Sequence, residues 1–583
     1  MSLRRFALAS IALGAAITTL PVPAHTQAQN PCVAAVGATP AVVRPARTAG
    51  RMKYGRFGND TRDVRDLLHL SNAAQARVKT AAIRAEADRD ENNIAILEDN
   101  GELITPPNLF DLANKGLRFS PGTGSYAVSN IPGDFRQRLG RQLTLGDDDS
   151  SAQTIDFPFD FYGKRFTSFF VNSDGNLTFE EADSASTERG AERLSSGAPR
   201  IAPFFADLDP SSGGGVFVDS TADATTVTWC AVPAFDSPLT MTVQATLFRG
   251  GTIEYRFGAP TLMDGLVGVS PGHTESFFAV DLTEMAAAHR APVAFAEIFA
   301  SSYSLDMIAA AKRFYATHPD DFDQLVFWTE APVLTDAFAF QTHVKNVITG
   351  TGLDIGDFSA QLGSAGTLQS IVNMDRIAKY GDSPSAKVFG ENSALGILAH
   401  ETGHRWLTRI QFIDHNRQKS DALLGRQRAH WSFFADTDGS VMEGNEIQDL
   451  GGGTFRTGSI TEKYSRLDMY AMGLATAAEV PPWFYVESPL GNHQREDGTI
   501  ANITFNGTRR NVLIQDVIDA LGPRVPAAAE SPRVHRQAYI FVRRRSAFQN
   551  PQDIARLSRI RQEFVTFFNR ATEGRMTLRT TLQ

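Results

Sequence analysis

Cysteine is nearly absent: the chain of 583 residues has two, Cys32 and Cys230. A Cys-rich metal site and a dense disulfide framework are therefore excluded, and one intramolecular disulfide is the most that can form. Whether the two pair depends on the separation of their Cα atoms, which the sequence leaves open. A dominant sign of charge is missing as well. The 56 Lys+Arg stand against 65 Asp+Glu, a formal net charge of −9, so there is no electrostatic footprint for nucleic acid or an anionic membrane surface. Long apolar runs are also lacking. No segment reaches the roughly 20 apolar residues needed to cross a bilayer, so no integral membrane span is expected.

The apolar fraction of 42% is that of ordinary globular protein, and a chain this long exceeds what one hydrophobic core serves, so two or more domains are expected. It opens on MSLRRFALASIALGAAITTLPVPAHTQAQNPC (1–32), with Arg4 and Arg5, an apolar run from Phe6 to Leu20, then small and polar residues. That order predicts a secretory signal peptide over 1–28, cleaved near Ala24 or Ala28, and a secreted, extracytoplasmic protein.

Residues 29–92 are rich in Ala and Arg and poor in large apolar side chains, apart from a short helix expected around RDVRDLLHL (62–70). They read as a weakly packed lead-in. NIAILEDNGELITPPNLFDL (93–112) alternates around Asp99, Asn100 and Gly101, residues suited to a hairpin turn, so a β region is expected to begin there. Short apolar or alternating runs separated by Gly, Asp, Asn and Pro then recur without a helical period, which predicts an all-β sandwich over 93–275. Four phrases in it, FPFDFYG (157–163), VNSDGNLTF (171–179), IAPFFADLDP (201–210) and GTIEYRFG (251–258), resemble in content and order the nidogen-like domain of extracellular proteins. The resemblance implies a sandwich with an extracellular binding target, and no catalytic motif. Asp207, Asp209 and the run Asp147, Asp148, Asp149 offer the oxygen ligands calcium takes, but EF-hand spacing is absent and they read as solvated turn carboxylates.

From 294 the pattern changes to α/β. YSLDMIAAAKRFYATHP (303–319) has helical spacing, FDQLVFWTE (322–330) reads as a strand buried on both faces, and GTLQSIVNMD (366–375) as a second strand. Later, IQDVIDALGPRVP (514–526) predicts a short helix, RQAYIFVRRR (536–545) a strand, and 550–575 an amphipathic helix with Ile554, Leu557, Ile560, Phe564 and Phe567 on one stripe. The Arg-rich stretches Arg543 to Arg545 and Arg556 to Arg561 could form a phosphate or substrate-carboxylate patch, but read rather as the solvated side of these last two elements.

Between them stands ILAHETGHRW (397–406). On a helix, residues four apart share a face, so His400 and His404 present two imidazoles to one ion, while Glu401 lies about 100° round the axis. This is the His-Glu-x-x-His arrangement: Zn2+ activates a water and polarises a carbonyl, and the glutamate serves as general base. By chance the bare motif arises in on the order of one chain in a hundred of this histidine content. The apolar LGILA before it, Ser393 as an N-cap and the uncharged Thr402 and Gly403 strengthen the match, whereas Arg405 departs from the stricter pattern.

Zinc needs a third protein ligand. The metzincin extension would require Gly at 407 and His at 410, where the chain has Leu407 and Ile410. Asp414, His415, His430, Glu446 and Asp468 are the alternatives. His430 is favoured because the SVM that follows (440–442) looks like a Met-turn; Asp468, expected on a helix, is next. Tyr464, Tyr470 and His415 are the candidate donors to an oxyanion, and spacing singles out none of them.

The phrases HETGHRW (400–406), LLGRQRAHWSFF (423–434), GSVMEGNE (439–446), YSRLDMYAMGL (464–474) and EVPPWF (479–484) resemble an uncharacterised group of secreted bacterial zincin-like proteins. The resemblance implies a zincin-like metallopeptidase domain over 294–583, without a substrate and without fixing the third ligand. The expected protein is thus multidomain, an all-β sandwich followed by an α/β (α+β) zincin-like domain. Its expected function is that of a secreted zinc-dependent endopeptidase acting on a protein or peptide substrate. The alternatives are an extracellular adhesion or matrix-binding protein with an inactive zincin domain, and a metal-dependent hydrolase of non-peptide substrates.

Overall fold

The computed structural model describes residue 32 and residues 61–77, 88–284, 292–334, 337–459, 462–544 and 550–582. The signal peptide expected over 1–28 and most of the lead-in lie outside the described residues.

The chain is mostly β. Two seven-stranded sheets face each other between residues 115 and 299. One runs from Tyr126–Pro132 through Thr240–Phe248 to Arg141–Leu143, the other from Phe277–Ala279 through Arg200–Phe205 to Ser150–Phe161. Their inner faces share one core that includes Phe119, Phe159, Leu177, Trp229, Val243 and Phe295. Ser150–Phe161 shows why the sequence folds this way: from Gln153 to Phe159 its side chains alternate between buried and exposed, the period of a strand with one face on the core. Cys230 lies on the strand Ala224–Pro233 and forms a disulfide with Cys32, the Cα atoms 5.2 Å apart.

The expected boundaries of the sandwich need correcting at both ends. Ala294–Phe299, assigned from sequence to the following domain, pairs antiparallel with Gly265–Ser270 and belongs to the sandwich. Ile94–Asp99, assigned to the sandwich, belongs instead to an eight-stranded mixed sheet, parallel to Val534–Arg544. The expected hairpin is absent, because Asp99 Oδ1 accepts from the amides of Gly101, Glu102 and Leu103 and turns the chain away. Ile104–Thr105 then pairs with Ser304–Leu305. The sandwich is therefore inserted between strands of one discontinuous domain. Nor are the described parts of the lead-in weakly packed: Thr61–Arg62 pairs with Phe340–His343, and Val64 and Leu67 of the helix Val64–Arg77 are core residues.

The large sheet runs Thr61–Arg62, Phe340–His343, Ser370–Arg376, Gln324–Thr329, Val534–Arg544, Ile94–Asp99, Arg89–Glu91, with Thr577–Arg579 pairing off this path. Its central strands are parallel and covered on both faces, which is why Gln324–Thr329 and Ile94–Asp99 are buried along their whole length rather than alternating. On one face Leu325, Phe327 and Ile540 meet Met307, Ile308 and Phe314 of the helix Met307–Tyr315. On the other, Val326, Trp328 and Phe541 meet Ile397 and Leu398 of the helix Ala394–Gly403 and Leu557 and Phe564 of the helix Pro551–Ala571. Arg543 and Arg561, expected to be solvated, are buried: Arg543 pairs with Glu98 on the neighbouring strand, and Arg561 Nη1 donates to Thr580 Oγ1 at 2.8 Å.

Candidate metal centre

Every residue of Ala394–Gly403 is buried, and the helix starts where Ser393 Oγ accepts from the Gly396 amide at 3.1 Å. Ser393 is thus the expected N-cap, satisfying one of the amides a helix N-terminus leaves without an intrahelical partner. The helix ends at Gly403, with His404 as its C-cap in helical geometry, so His400 and His404 still lie one turn apart on a common face.

The third member of the site arrives from a loop. One ring nitrogen each of His400, His404 and His430 lies within 4.8 Å of the other two. The ring centroids of His430 stand 5.1 Å from His400 and 4.9 Å from His404. All three side chains, and Glu401, have 0% solvent exposure. Each imidazole is held from behind by a main-chain carbonyl: His400 Nδ1 by Val441 O at 2.7 Å, His404 Nδ1 by Leu407 O at 3.2 Å, and His430 Nδ1 by Arg426 O at 2.7 Å.

A carbonyl oxygen can only accept, so each Nδ1 carries a ring proton and the neutral ring has its lone pair at Nε2, which on His430 accepts from Arg426 Nη2 at 3.1 Å. The Nε2 atoms of His400 and His404 are 3.1 Å apart. Two lone pairs at that distance repel unless a proton or a cation lies between them, and a ring whose far N–H is fixed by a carbonyl is the arrangement metal-bound histidines adopt. Three imidazoles, one of them preceding a buried glutamate in sequence, fit a zinc ion in number and chemistry of donors.

The turn expected beneath the histidines is also there. Val441 supplies the carbonyl that holds His400, and Met442, wholly buried, lies so close to Gly403 that a Cβ there would sit 2.6 Å from its Sδ. Glycine at 403 is thus required by the approach of Met442 and Tyr464. Arg405, the departure from the stricter motif, is buried away from the site, its Nε donating to Gln369 Oε1 at 2.7 Å. Glu401 is near enough to Tyr380 for its charge to add to burial and Asp375 in pushing that hydroxyl far above the usual tyrosine range.

The other ligand candidates lie elsewhere. Asp468 is the N3 residue of the helix Arg466–Met472. Its carboxylate accepts from Trp431 Nε1 at 2.9 Å, Ser440 Oγ at 2.6 Å and the Ser465 amide at 2.7 Å. Burial raises its pKa, and those hydrogen bonds oppose the rise. Asp414 caps an exposed turn through the amides of Asn416 and Gln418, His415 lies 3.9 Å from Glu487 at the surface, and Glu446 packs against Gly458. The expected oxyanion donors are engaged too: Tyr464 donates to Ala399 O at 2.6 Å, and Tyr470 accepts from the Arg524 amide at 3.1 Å.

Sequence reasoning passed over Arg426, which meets His430, and Glu443, which pairs with Arg426. The guanidinium Nη2 of Arg426 is 3.1 Å from His430 Nε2 and 2.9 Å from Glu443 Oε1. The available signal was an arginine four residues before the third histidine and a glutamate directly after the methionine of the turn.

A second group of carboxylates, Asp147, Asp148 and Asp207, gathers at one end of the sandwich. Arg189 is inserted there, pairing with Asp148, with Asp174 at 2.8 Å and with Asp207 at 2.9 Å. Asp209 instead holds the turn at Ser211 and Ser212. An arginine therefore supplies the positive charge, and the residues are more enclosed than solvated turn carboxylates.

Residues 125–302 match the model of the family described as NIDO related, in agreement with the nidogen-like resemblance. No curated protein and no solved structure matches the chain. The chain is thus similar to NIDO-related proteins over its sandwich, and the match does not extend to the histidines.

Proposed function

We propose that the protein is a secreted zinc-dependent endopeptidase whose metal is held by His400, His404 and His430, with Glu401 as general base. The observation that supports this most is the convergence of three carbonyl-backed imidazoles, one contributed from outside the motif helix, next to a buried glutamate. When bound, a zinc ion supplies Lewis acidity, lowering the pKa of water and polarising a scissile carbonyl. The carboxylate of Glu401 takes the proton from the attacking water and passes it to the departing amine. The carbonyls of Val441, Leu407 and Arg426 keep all three rings in the tautomer that can ligate. A non-peptide amide would meet the same chemistry, so peptidase action is preferred through the zincin-like wording of the sequence.

The test is to purify the mature protein, measure its zinc content, and assay cleavage of a denatured protein with and without chelator beside Glu401→Ala. Cleavage that needs metal and Glu401 is the expected result. Wild type and Glu401→Ala equally inert across a broad substrate panel, with zinc bound, would refute the peptidase assignment. One observation favours the second reading, an adhesion or matrix-binding protein built on the NIDO-related sandwich: the side chains of His400, Glu401, His404 and His430 are all closed to solvent. The same inert outcome is what that reading expects.

A further inference from the structure

A cavity of about 100 Å³ opens where the helix Val64–Arg77, the sandwich and the large sheet meet. Leu67 and Ala74 of the helix, Ile298 of the sandwich, and Met307, Val333 and Phe340 of the sheet domain give it apolar walls. Met307 and Phe340 belong to the core on the face of the sheet opposite the helix Ala394–Gly403, so the cavity is separate from the three histidines. Leu70, Pro106 and Ser304 are exposed and form its mouth, whereas Asn373, 1% exposed, lies at the inner wall. Asn373 Oδ1 accepts from the Asp375 amide at 2.8 Å, and only the oxygen of a carboxamide can accept, so the orientation of the group is fixed. Its Nδ2 then has no hydrogen-bond partner among the described residues. The two charged residues of the lining have opposite signs. Arg62 places its guanidinium carbon 4.0 Å from the centroid of the Phe340 ring, and Asp306 accepts from Ser71 Oγ at 2.9 Å and caps the helix Met307–Tyr315.

We infer that this cavity is a binding site for a small neutral molecule, an aliphatic ring or chain of about five carbons bearing one carbonyl or hydroxyl oxygen, and that the oxygen accepts from Asn373 Nδ2. Three observations set the class. Size is the first: an engineered cavity of about 150 Å³ holds benzene, so this one encloses a slightly smaller body. Charge is the second. A charged ligand would be attracted by one of Arg62 and Asp306, repelled by the other, and stripped of its hydration among apolar walls, whereas a neutral one meets no such cost. The third is the amide itself, because a buried N–H without an acceptor is disfavoured and an oxygen brought by the ligand satisfies it. A molecule held there touches the helix, the sandwich and the sheet at once, so its binding stabilises their junction. The inference stands apart from the hydrolytic reading.

The full-length mature protein is titrated with cyclopentanone, a neutral ketone of this size, and with the cyclopentylammonium and cyclopentanecarboxylate ions, followed by ligand-observed saturation-transfer NMR. Wild type is compared with Ala300→Leu, which adds bulk at the cavity wall, and with Asn373→Leu, which keeps the shape of the side chain and removes its amide. The expected result is saturable binding of the ketone to wild type with Kd of about 5 mM or tighter. Its affinity is expected to fall at least about tenfold in Ala300→Leu, where the space is taken, and about three- to tenfold in Asn373→Leu, the loss of one hydrogen bond. Both ions are expected to bind wild type at least about tenfold more weakly than the ketone. No saturable binding of the ketone to wild type would overturn the site, as would affinity within twofold of wild type in Ala300→Leu. Unchanged affinity in Asn373→Leu would overturn the part given to the amide. Either ion bound as tightly as the ketone would overturn the neutral class, and that comparison is made on wild type alone, whatever the variants do.

Discussion

Trp431 Nε1 donates to Asp468 Oδ1 at 2.9 Å, and the residue before that tryptophan is His430. The other oxygen of the same carboxylate accepts from Ser440 Oγ at 2.6 Å, next to the Val441 whose carbonyl holds His400. One buried aspartate thus fixes two loops that bring a histidine or its support to the site. Asp468 belongs to the scaffold behind the three histidines, a role its residue type alone does not separate from ligation.

Exchanging the two candidates for third ligand separates those roles. His430→Ala is expected to lose zinc on dialysis. Asp468→Asn, which cannot accept all three donors, is expected to retain zinc with affinity lowered about 10- to 100-fold, as when partners behind a ligand are removed, and to lose about 1–3 kcal/mol of stability. Zinc content and denaturant titration of the two variants check this, and the reverse order of zinc loss would make Asp468 the ligand.

Gly403→Ala sets two effects against each other. Alanine favours a helix over glycine by about 1 kcal/mol, but the new Cβ would stand 2.6 Å from Met442 Sδ and 3.0 Å from Tyr464 Cε1, an overpacking that costs about 1–3 kcal/mol. Destabilisation is expected to win because Met442 and Tyr464 are both buried, which leaves little room for either to shift. A double-mutant cycle with Met442→Ala should show the pair less destabilised than the sum of the single variants. A Gly403→Ala protein more stable than wild type would refute the close approach.

Arg189→Met leaves Asp148, Asp174 and Asp207 together without their shared cation. Removing one partner of a buried ion pair typically costs about 3–5 kcal/mol, and thermal unfolding of the sandwich is expected to shift down accordingly. Calcium should restore part of the loss if the vacated carboxylates accept a cation, and an unchanged midpoint for Arg189→Met without calcium would contradict the pairing.

Two sets of groups act in opposite directions on the pH dependence of stability. Burial raises Asp147 to about 8, Asp207 to about 7 and Asp148 to about 6, with neighbouring carboxylates adding to the effect. Folded values above the unfolded one mean that this contribution is complete below pH about 4 and is lost as pH rises through 6 to 8. His535 acts oppositely. Burial, reinforced by Arg405 and opposed by Asp323, lowers it to about 4. Its contribution is complete above pH about 6.5 and falls as pH drops toward 4, by about 1.4 kcal/mol per unit. Unfolding by denaturant from pH 4.5 to 8.5 is expected to show stability falling as pH rises, because three raised carboxylates outweigh one histidine, and the fall below pH about 6.5 should be steeper in His535→Gln, where nothing opposes it.

The legible parts of the site were the short-range ones. His400, Glu401 and His404 follow from helical spacing, Ser393 from the preference of hydroxyls for N-caps, and the apolar face from LGILA. The methionine turn was visible as three letters, but the close approach of Met442 to Gly403 was not. Arg405 looked like a flaw in the motif until its partner Gln369 was seen, because a buried arginine is judged by what it touches. Arg426 and Glu443 went unremarked for the same reason.

The sequence by itself determined the local elements: the strands of the sandwich, the helices flanking the motif, and the pair of imidazoles on one face of a helix. Each is set by side chains a few residues apart, through periodicity, capping and turn chemistry. Tertiary structure decided which of five distant residues joins those imidazoles, and that Ile94–Asp99 lies beside Val534–Arg544 with the whole sandwich inserted between strands of the other domain. Those contacts join parts of the chain far apart in sequence. They are selected by which apolar faces bury one another and which buried polar atoms find partners, and neither is written in any one stretch of residues.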